Sequence, residues 1–242
     1  MNLSKLEGYF NKFGLDIRRY PTLLLRNRMA LLQHSNINVI FDVGANVGQY
    51  AMQMRQIGYS ERIVSFEPII APYELLLQQV RKDSLWECSQ VALGDFKGES
   101  TINVSGNVAS SSILEITKAH TDEVPKTRTV STENIVVDKL DNIIDEYVNQ
   151  DDRLFVKIDT QGFEKKVIEG SLNSIKRISG FQLELSLVEM YQGEALFEEM
   201  IQYMKAFGYE IFSMEPGFCN SDSGRLYQCD VIFFKSQDIK FE

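Results

Sequence analysis

The sequence predicts an α/β domain built on a mostly parallel sheet, and three observations carry that expectation. Short apolar runs of strand length alternate with stretches of helical apolar spacing. The first run, Val39, Ile40 and Phe41, empties into Asp42, Val43, Gly44, Ala45, Asn46, Val47 and Gly48, a glycine turn that opens a helix. Two final runs with no helix between them read as an antiparallel pair.

Residues 3–33 place Leu3, Leu6, Tyr9, Phe10 and Phe13, then Leu23, Leu24, Leu25, Met29 and Leu32, on helical spacings broken at Gly14 and around Pro21. They predict two short amphipathic helices, an N-terminal extension over 1–36 that covers one side of the sheet or the mouth of the site. Lys5, Lys12, Arg18, Arg19, Arg26 and Arg28 permit a membrane-surface role, which packing outweighs. The main domain then occupies 37–242. After the glycine turn, 62–66 is the second strand, ending at Glu67 and Pro68, and 72–81 the next helix, with Tyr73, Leu76, Leu77 and Val80 as its apolar face. Residues 86–93 read as a third strand ending at Gly94 and Asp95. The least regular part is 98–138: a strand at 101–104 paired with the one before it, a polar loop through Gly106 and Ser110 to Ser112, and a return strand at 130–137. Residues 140–148 form a helix and 154–158 a buried strand. A turn at Thr160 to Phe163 opens a helix reaching about Ile178. Phe181, Leu183, Leu185 and Leu187 alternate with polar residues in a fifth strand. A helix over 194–207, closed by Gly208, precedes the terminal pair at 209–214 and 227–234.

A chain of 242 residues has room for one such domain with a sizeable core. Its 25 Lys plus Arg against 34 Asp plus Glu leave a formal net charge of -9, so no basic excess exists to displace counterions and no nucleic acid is expected as partner. Cys88, Cys219 and Cys229 are too few and scattered for a zinc site, and an odd number argues against a disulfide framework; a reducing, cytoplasmic location follows. No apolar run approaches a membrane span, and residues 1–36 lack the parts of a secretory signal. Oligomeric state is not written in the pattern.

Charge selects the ligand for the glycine turn. A pyrophosphate on the helix N-terminus wants bare amide donors, whereas Asp42 would set a carboxylate at the strand's end. A cation suits that place better. S-adenosylmethionine carries an ammonium and a sulfonium beside a ribose and has no phosphate, so Asp42, Gly44, Ala45, Asn46, Gly48 and Tyr50 are expected around its amino-acid end. Glu67, followed by Pro68, falls roughly 20 residues beyond the turn, where such folds place an acid for the ribose hydroxyls. Ala92 and Leu93 lie where an adenine ring must be held. Asp95 either accepts the adenine amino protons or is a turn acid before Gly98.

A second cluster follows the buried strand at 154–158. By the crevice rule Asp159 faces the ligand, with helix capping as its competing role. Lys157, inside that apolar strand, demands an acid such as Asp159 or Glu184. Glu184 falls mid-strand on the polar face. His120 lies in the irregular loop, where a lone histidine is usually solvated.

The phrases FDVGANVGQY, SFEP, VALGD, GNVASSS, VKIDTQGFE, ELSLVEMYQGEALFEEM, GYEIFSMEPGF and CDVIFF, in that order across about residues 37–235, resemble the FkbM-type methyltransferase family. The resemblance implies the class I methyltransferase (Rossmann-like) fold, a mostly parallel seven-stranded sheet with a C-terminal antiparallel strand pair. It also implies S-adenosylmethionine as cofactor and methyl transfer, typically to a hydroxyl oxygen of a sugar or other small metabolite. On the family pattern Asp42, Gly44, Asn46 and Gly48 hold the methionine end, Glu67 the ribose, and Ala92, Leu93 and Asp95 the adenine. The chain departs at Thr160 and Gln161, where Val and Glu are more usual.

A neutral hydroxyl is a weak nucleophile, so a base is expected, with Asp159, Glu184 and His120 as candidates in that order. A divalent cation on Asp159 and Glu184 is the alternative way to acidify the hydroxyl. The loop over 106–122 would close over the reactants. Two rival readings are a non-catalytic S-adenosylmethionine-binding regulatory or partner protein, and a nicotinamide dehydrogenase, which Asp42 and the antiparallel ending disfavour.

Overall fold

The computed structural model describes residues 9–15 and 19–235. Seven strands form the central sheet: β1 (Val39–Val43), β2 (Arg62–Phe66), β3 (Trp86–Ser89), β7 (Leu154–Ile158), β8 (Ile178–Ser186), β9 (Tyr209–Pro216) and β10 (Gln228–Lys235). Three more, β4 (Ala92–Leu93), β5 (Gly98–Ser105) and β6 (Thr129–Asp138), form a small sheet beside it. The helices are α1 (Leu23–His34), α2 (Gln49–Gln56), α3 (Ile70–Val80), α4 (Lys118–Glu123), α5 (Leu140–Tyr147), α6 (Glu164–Glu169) and α7 (Phe197–Ala206).

The central order is β3-β2-β1-β7-β8-β10-β9, parallel except where β10 runs antiparallel to both β8 and β9. The class I arrangement implied by the sequence is therefore present. Alternation along the buried strands sorts their side chains onto two faces. Phe41, Val64, Val156, Phe181 and Leu183 pack with Ile144 of α5, Val167 of α6 and Met204 of α7. On the other face Ile40, Ile63, Phe155 and Phe234 meet Met29 and Leu32 of α1, Met54 of α2 and Leu76 of α3.

Of the N-terminal pair of helices, the second is α1, capped by the Thr22 hydroxyl oxygen, which accepts from the Leu25 amide at 3.3 Å. The first falls partly on residues 1–8 and 16–18, outside the described residues.

Three elements differ from expectation. The run over 86–93 is two strands: β3 stays with β2, while β4 leaves to pair in parallel with β6. Consequently β5 pairs with β6 rather than with the strand before it. The helix expected to reach about 178 stops at Glu169, because the chain at Gly170 passes so close to β4's exit that a Cβ would lie 1.9 Å from the Gly94 carbonyl oxygen. β8 accordingly begins at Ile178 and is longer than the run that suggested it.

Candidate functional site

Parallel strands end together, so the turns after β1, β2, and β7 meet at one edge of the sheet. Gly44 takes the left-handed region at φ 74°, and a Cβ there would stand 2.0 Å from the Asp159 carbonyl oxygen. Close packing of the β1 turn on the β7 turn therefore requires glycine. The amides of Gly44 and Ala45 donate to the Phe66 carbonyl at 3.0 and 3.1 Å, and the Asn46 amide to Glu67 Oε2 at 2.8 Å. The turn is thus tied to the end of β2. Gly48 caps α2 and lines neither cavity described below.

Asp42 is not presented at the mouth. It is fully buried on β1, in register between Ser65 of β2 and Lys157 of β7. Lys157 Nζ lies 3.1 Å from Asp42 Oδ1 and 3.5 Å from Asp159 Oδ2, and donates to the Gly44 carbonyl at 3.4 Å. Burial raises the proton affinity of the Asp42 carboxyl and the ammonium opposes it. Burial likewise disfavours the Lys157 charge, but Asp42 and Asp159 more than offset this and hold the ammonium above its ordinary value. Lys157 thus meets Asp159, one of the two acids its sequence position suggested, and also Asp42, which the sequence reading did not pair with it. The signal was present: both are fourth residues of adjacent five-residue strands.

Glu67 closes β2, 5 % exposed, with Oε2 on the Asn46 amide and Oε1 accepting from the Ile69 amide at 2.9 Å. Burial pushes its carboxyl up to about 7 against those two hydrogen bonds. It lines a cleft whose walls include Pro68, Ile69, Ala92, Leu93 and Phe163, with Val108 and Ala109 of the irregular loop across from them. Asp95 stands outside this cleft. Its carboxylate is 2.9 Å from Lys166 Nζ on α6.

Asp159 lines the same cleft with its side chain 35 % exposed. It makes no helix cap. α6 has no side-chain cap; Glu164 instead ties the turn before it, its Oε1 accepting from the Thr160 and Gly162 amides at 2.8 and 3.2 Å, and burial pushes its carboxyl up to about 7. Gln161, in the left-handed region at φ 57°, joins the two expected acids. Its Nε2 donates to Asp159 Oδ1 at 2.7 Å and to Glu184 Oε2 at 2.5 Å. Its Oε1 lies 2.6 Å from the Tyr191 hydroxyl, and its carbonyl accepts from the Ser112 hydroxyl at 2.7 Å. Burial, then the charge of Asp159, raise the Glu184 carboxyl well above the ordinary carboxylate range. The amide occupies the point between the two carboxylates that a bridging cation would take. Among the described residues no group of three or more His, Cys, Asp or Glu is placed to hold a metal ion.

His120 is not a solvated loop side chain. It is 4 % exposed in α4, edge-on to Tyr191 at 5.4 Å and beside Phe218, and lines neither cavity. Burial lowers its pKa against a hydrogen bond to the Met190 backbone.

A second, polar cavity adjoins the cleft across Gly44, Asn46, Ala109 and Asp159. Ala45, Tyr50 and Lys157 line it, together with Arg28 of α1, Gln182 of β8 and Asp230 of β10, to which the sequence reading gave no part in the site. Asp230 inside the apolar run of β10 was the visible hint.

The N-terminal domain of human METTL16 in complex with SAH is 11% identical over 93% of this chain and 77% of that one, with a TM-score of 0.48. Streptococcus pneumoniae Sp1610, a putative tRNA (m1A22) methyltransferase in complex with S-adenosyl-L-methionine, is 9% identical over 90% and 74%, also at 0.48. M. capricolum TrmK in complex with S-adenosyl-homocysteine is 11% identical over 86% and 68%, at 0.44. No curated protein sequence matches the chain. The methyltransferase FkbM domain matches residues 42–211, most of the chain, a span that includes Asp42, Glu67, Asp159 and Glu184. The chain belongs to this family of S-adenosylmethionine-dependent methyltransferases.

Proposed function

We propose that the protein methylates a hydroxyl oxygen of a sugar or other small metabolite, with Asp159 as the base that takes the hydroxyl proton. The observation that carries this reading is the position of Asp159. Its part-exposed carboxylate stands where the apolar cleft and the polar cavity meet, and of the two acids that Gln161 joins it is the one that lines them.

The residues present fit the cofactor. Glu67 keeps acceptor capacity on both oxygens for a vicinal diol, and Ala92, Leu93, Phe163 and Ile69 give a flat base apolar walls. When bound, S-adenosylmethionine supplies an electrophilic methyl on a positively charged sulfur. The chain's own part is alignment, exclusion of water and removal of one proton. Val108, Ala109 and Ser111 of the irregular loop line the cleft together with Asp159. Asp159, held by the Gln161 amide and offset by Lys157, takes the proton that the acceptor hydroxyl gives up. Glu184 takes second place as base because its raised pKa favours the protonated form. His120 drops out because it is enclosed by Tyr191 and Phe218 and lines neither cavity.

The test is methyl transfer from labelled S-adenosylmethionine to pooled sugars, polyols and hydroxylated metabolites, with the new bond identified by mass spectrometry and NMR. An O-methyl ether supports the reading. A new N-methyl or C-methyl bond, or cofactor binding without transfer to any extract, overturns it.

A further inference from the structure

Two of the residues that line the polar cavity lie outside the matched family region of 42–211. Arg28 comes from α1, and Asp230 from β10. Its walls hold buried polar groups that the protein itself leaves unsatisfied. Arg28, 5 % exposed, donates through Nη1 to Gln53 Oε1 at 3.1 Å and through Nη2 to Glu215 Oε2 at 2.6 Å, yet its Nε has no partner. Gln182, 3 % exposed, donates to Asp230 Oδ1 at 3.1 Å, but its Oε1 accepts nothing. The Tyr50 hydroxyl, which feels Arg28, Asp42, Lys157 and Asp230 around it, has no partner either.

Buried polar groups are almost always paired, so orphans that share one cavity mark a ligand's place. Their chemistry is two-sided. A guanidinium N–H suits an anion, and a carbonyl oxygen beside a carboxylate suits an ammonium. We propose that this cavity receives the α-amino-acid end of S-adenosylmethionine, its carboxylate on Arg28 and the Tyr50 hydroxyl, its ammonium on Gln182 and Asp230. The N-terminal helix is then part of the cofactor site as well as a cover over the sheet. This moves the zwitterion away from Asp42, whose carboxylate is enclosed with Lys157. The two cavities divide the cofactor by polarity, nucleoside in the apolar cleft and amino acid in the charged one, with the sulfur at their junction beside Asp159. The inference rests on the family's cofactor and is independent of which acceptor is methylated.

The experiment compares S-adenosylhomocysteine with 5′-methylthioadenosine, which lacks the amino-acid end, by calorimetry on the full chain. Tyr50→Phe removes only an oxygen without a protein partner, and Arg28→Lys keeps a cation beside Glu215, so both variants should fold. The wild type is expected to prefer S-adenosylhomocysteine by about tenfold or more, and each variant to lose about three- to tenfold of that preference while holding methylthioadenosine unchanged. Equal losses for both ligands, or no loss for either, overturn the assignment while leaving the cofactor itself in place. Failure of the wild type to bind S-adenosylhomocysteine overturns it together with the reading of the cleft.

Discussion

Lys157 holds its ammonium 3.1 Å from the Asp42 carboxylate in the middle of the sheet, both side chains nearly sealed from solvent. The pair supports the site from beneath, since the same ammonium reaches Asp159 and the Gly44 carbonyl. Removing one partner of such a pair leaves a buried charge uncompensated. Lys157→Met is expected to lower stability by about 3–5 kcal/mol in urea denaturation, and Asp42→Asn combined with it to cost less than the sum of the two single changes. Additive losses would show that the two groups do not act as a pair.

Glu67 gives the cofactor's affinity a pH dependence. Its carboxyl, pushed up to about 7 by burial, accepts hydroxyl hydrogen bonds better when ionised. Affinity for S-adenosylhomocysteine is therefore expected to fall severalfold as pH drops through about 7, and the Glu67→Gln protein to bind more weakly with a flat profile. Calorimetry at about pH 6 and about pH 8 separates the two.

Glu164 affects stability with the sign set by its raised pKa. Burial takes its carboxyl from an ordinary 4.5 to about 7, so the folded chain binds a proton that the unfolded chain releases between those values. The stabilisation is fully present below the unfolded value and is lost as pH rises toward 7, an effect of about 3 kcal/mol. Glu67 has the same shift and adds to the slope. In Glu164→Gln the fall in melting temperature from about pH 5 to about pH 8 should shrink without vanishing, because Glu67 and Glu184, both raised by burial, still carry part of the slope.

Gln161 donates through its amide to both Asp159 and Glu184. Gln161→Glu would set a third carboxylate against the other two. Turnover and stability above neutral pH are expected to fall, the latter by about 1–3 kcal/mol. Gln161→Met, which removes the bridge without adding charge, should lose less stability above neutral pH than Gln161→Glu. Thermal melts of both variants at about pH 8 check the ordering.

Much of the fold was legible because strand-length apolar runs and glycine turns are local signals. The 154–158 strand coincides with β7. The misjudged boundaries were set by contacts distant in sequence: Gly170 stops α6 because Gly94 lies against it, and β4 leaves its neighbour because β6 offers a partner 45 residues on, as Ala92 opposite Val137 shows. The acids at strand ends were visible for the same local reason. Which of them reaches the cleft depends on register. Asp42 is claimed by Lys157, and Asp95 by Lys166, whereas Gln161 and Tyr191 meet across 30 residues of chain. That Arg28 and Asp230 share one cavity was hidden because they come from opposite ends of the sequence.

The most direct test of the account is Asp159→Asn. With an accepted hydroxyl acceptor in hand, its turnover should fall by about a hundredfold or more while affinity for S-adenosylhomocysteine stays within severalfold of the wild type. Unchanged turnover would contradict the assignment of the base, however tightly the cofactor binds.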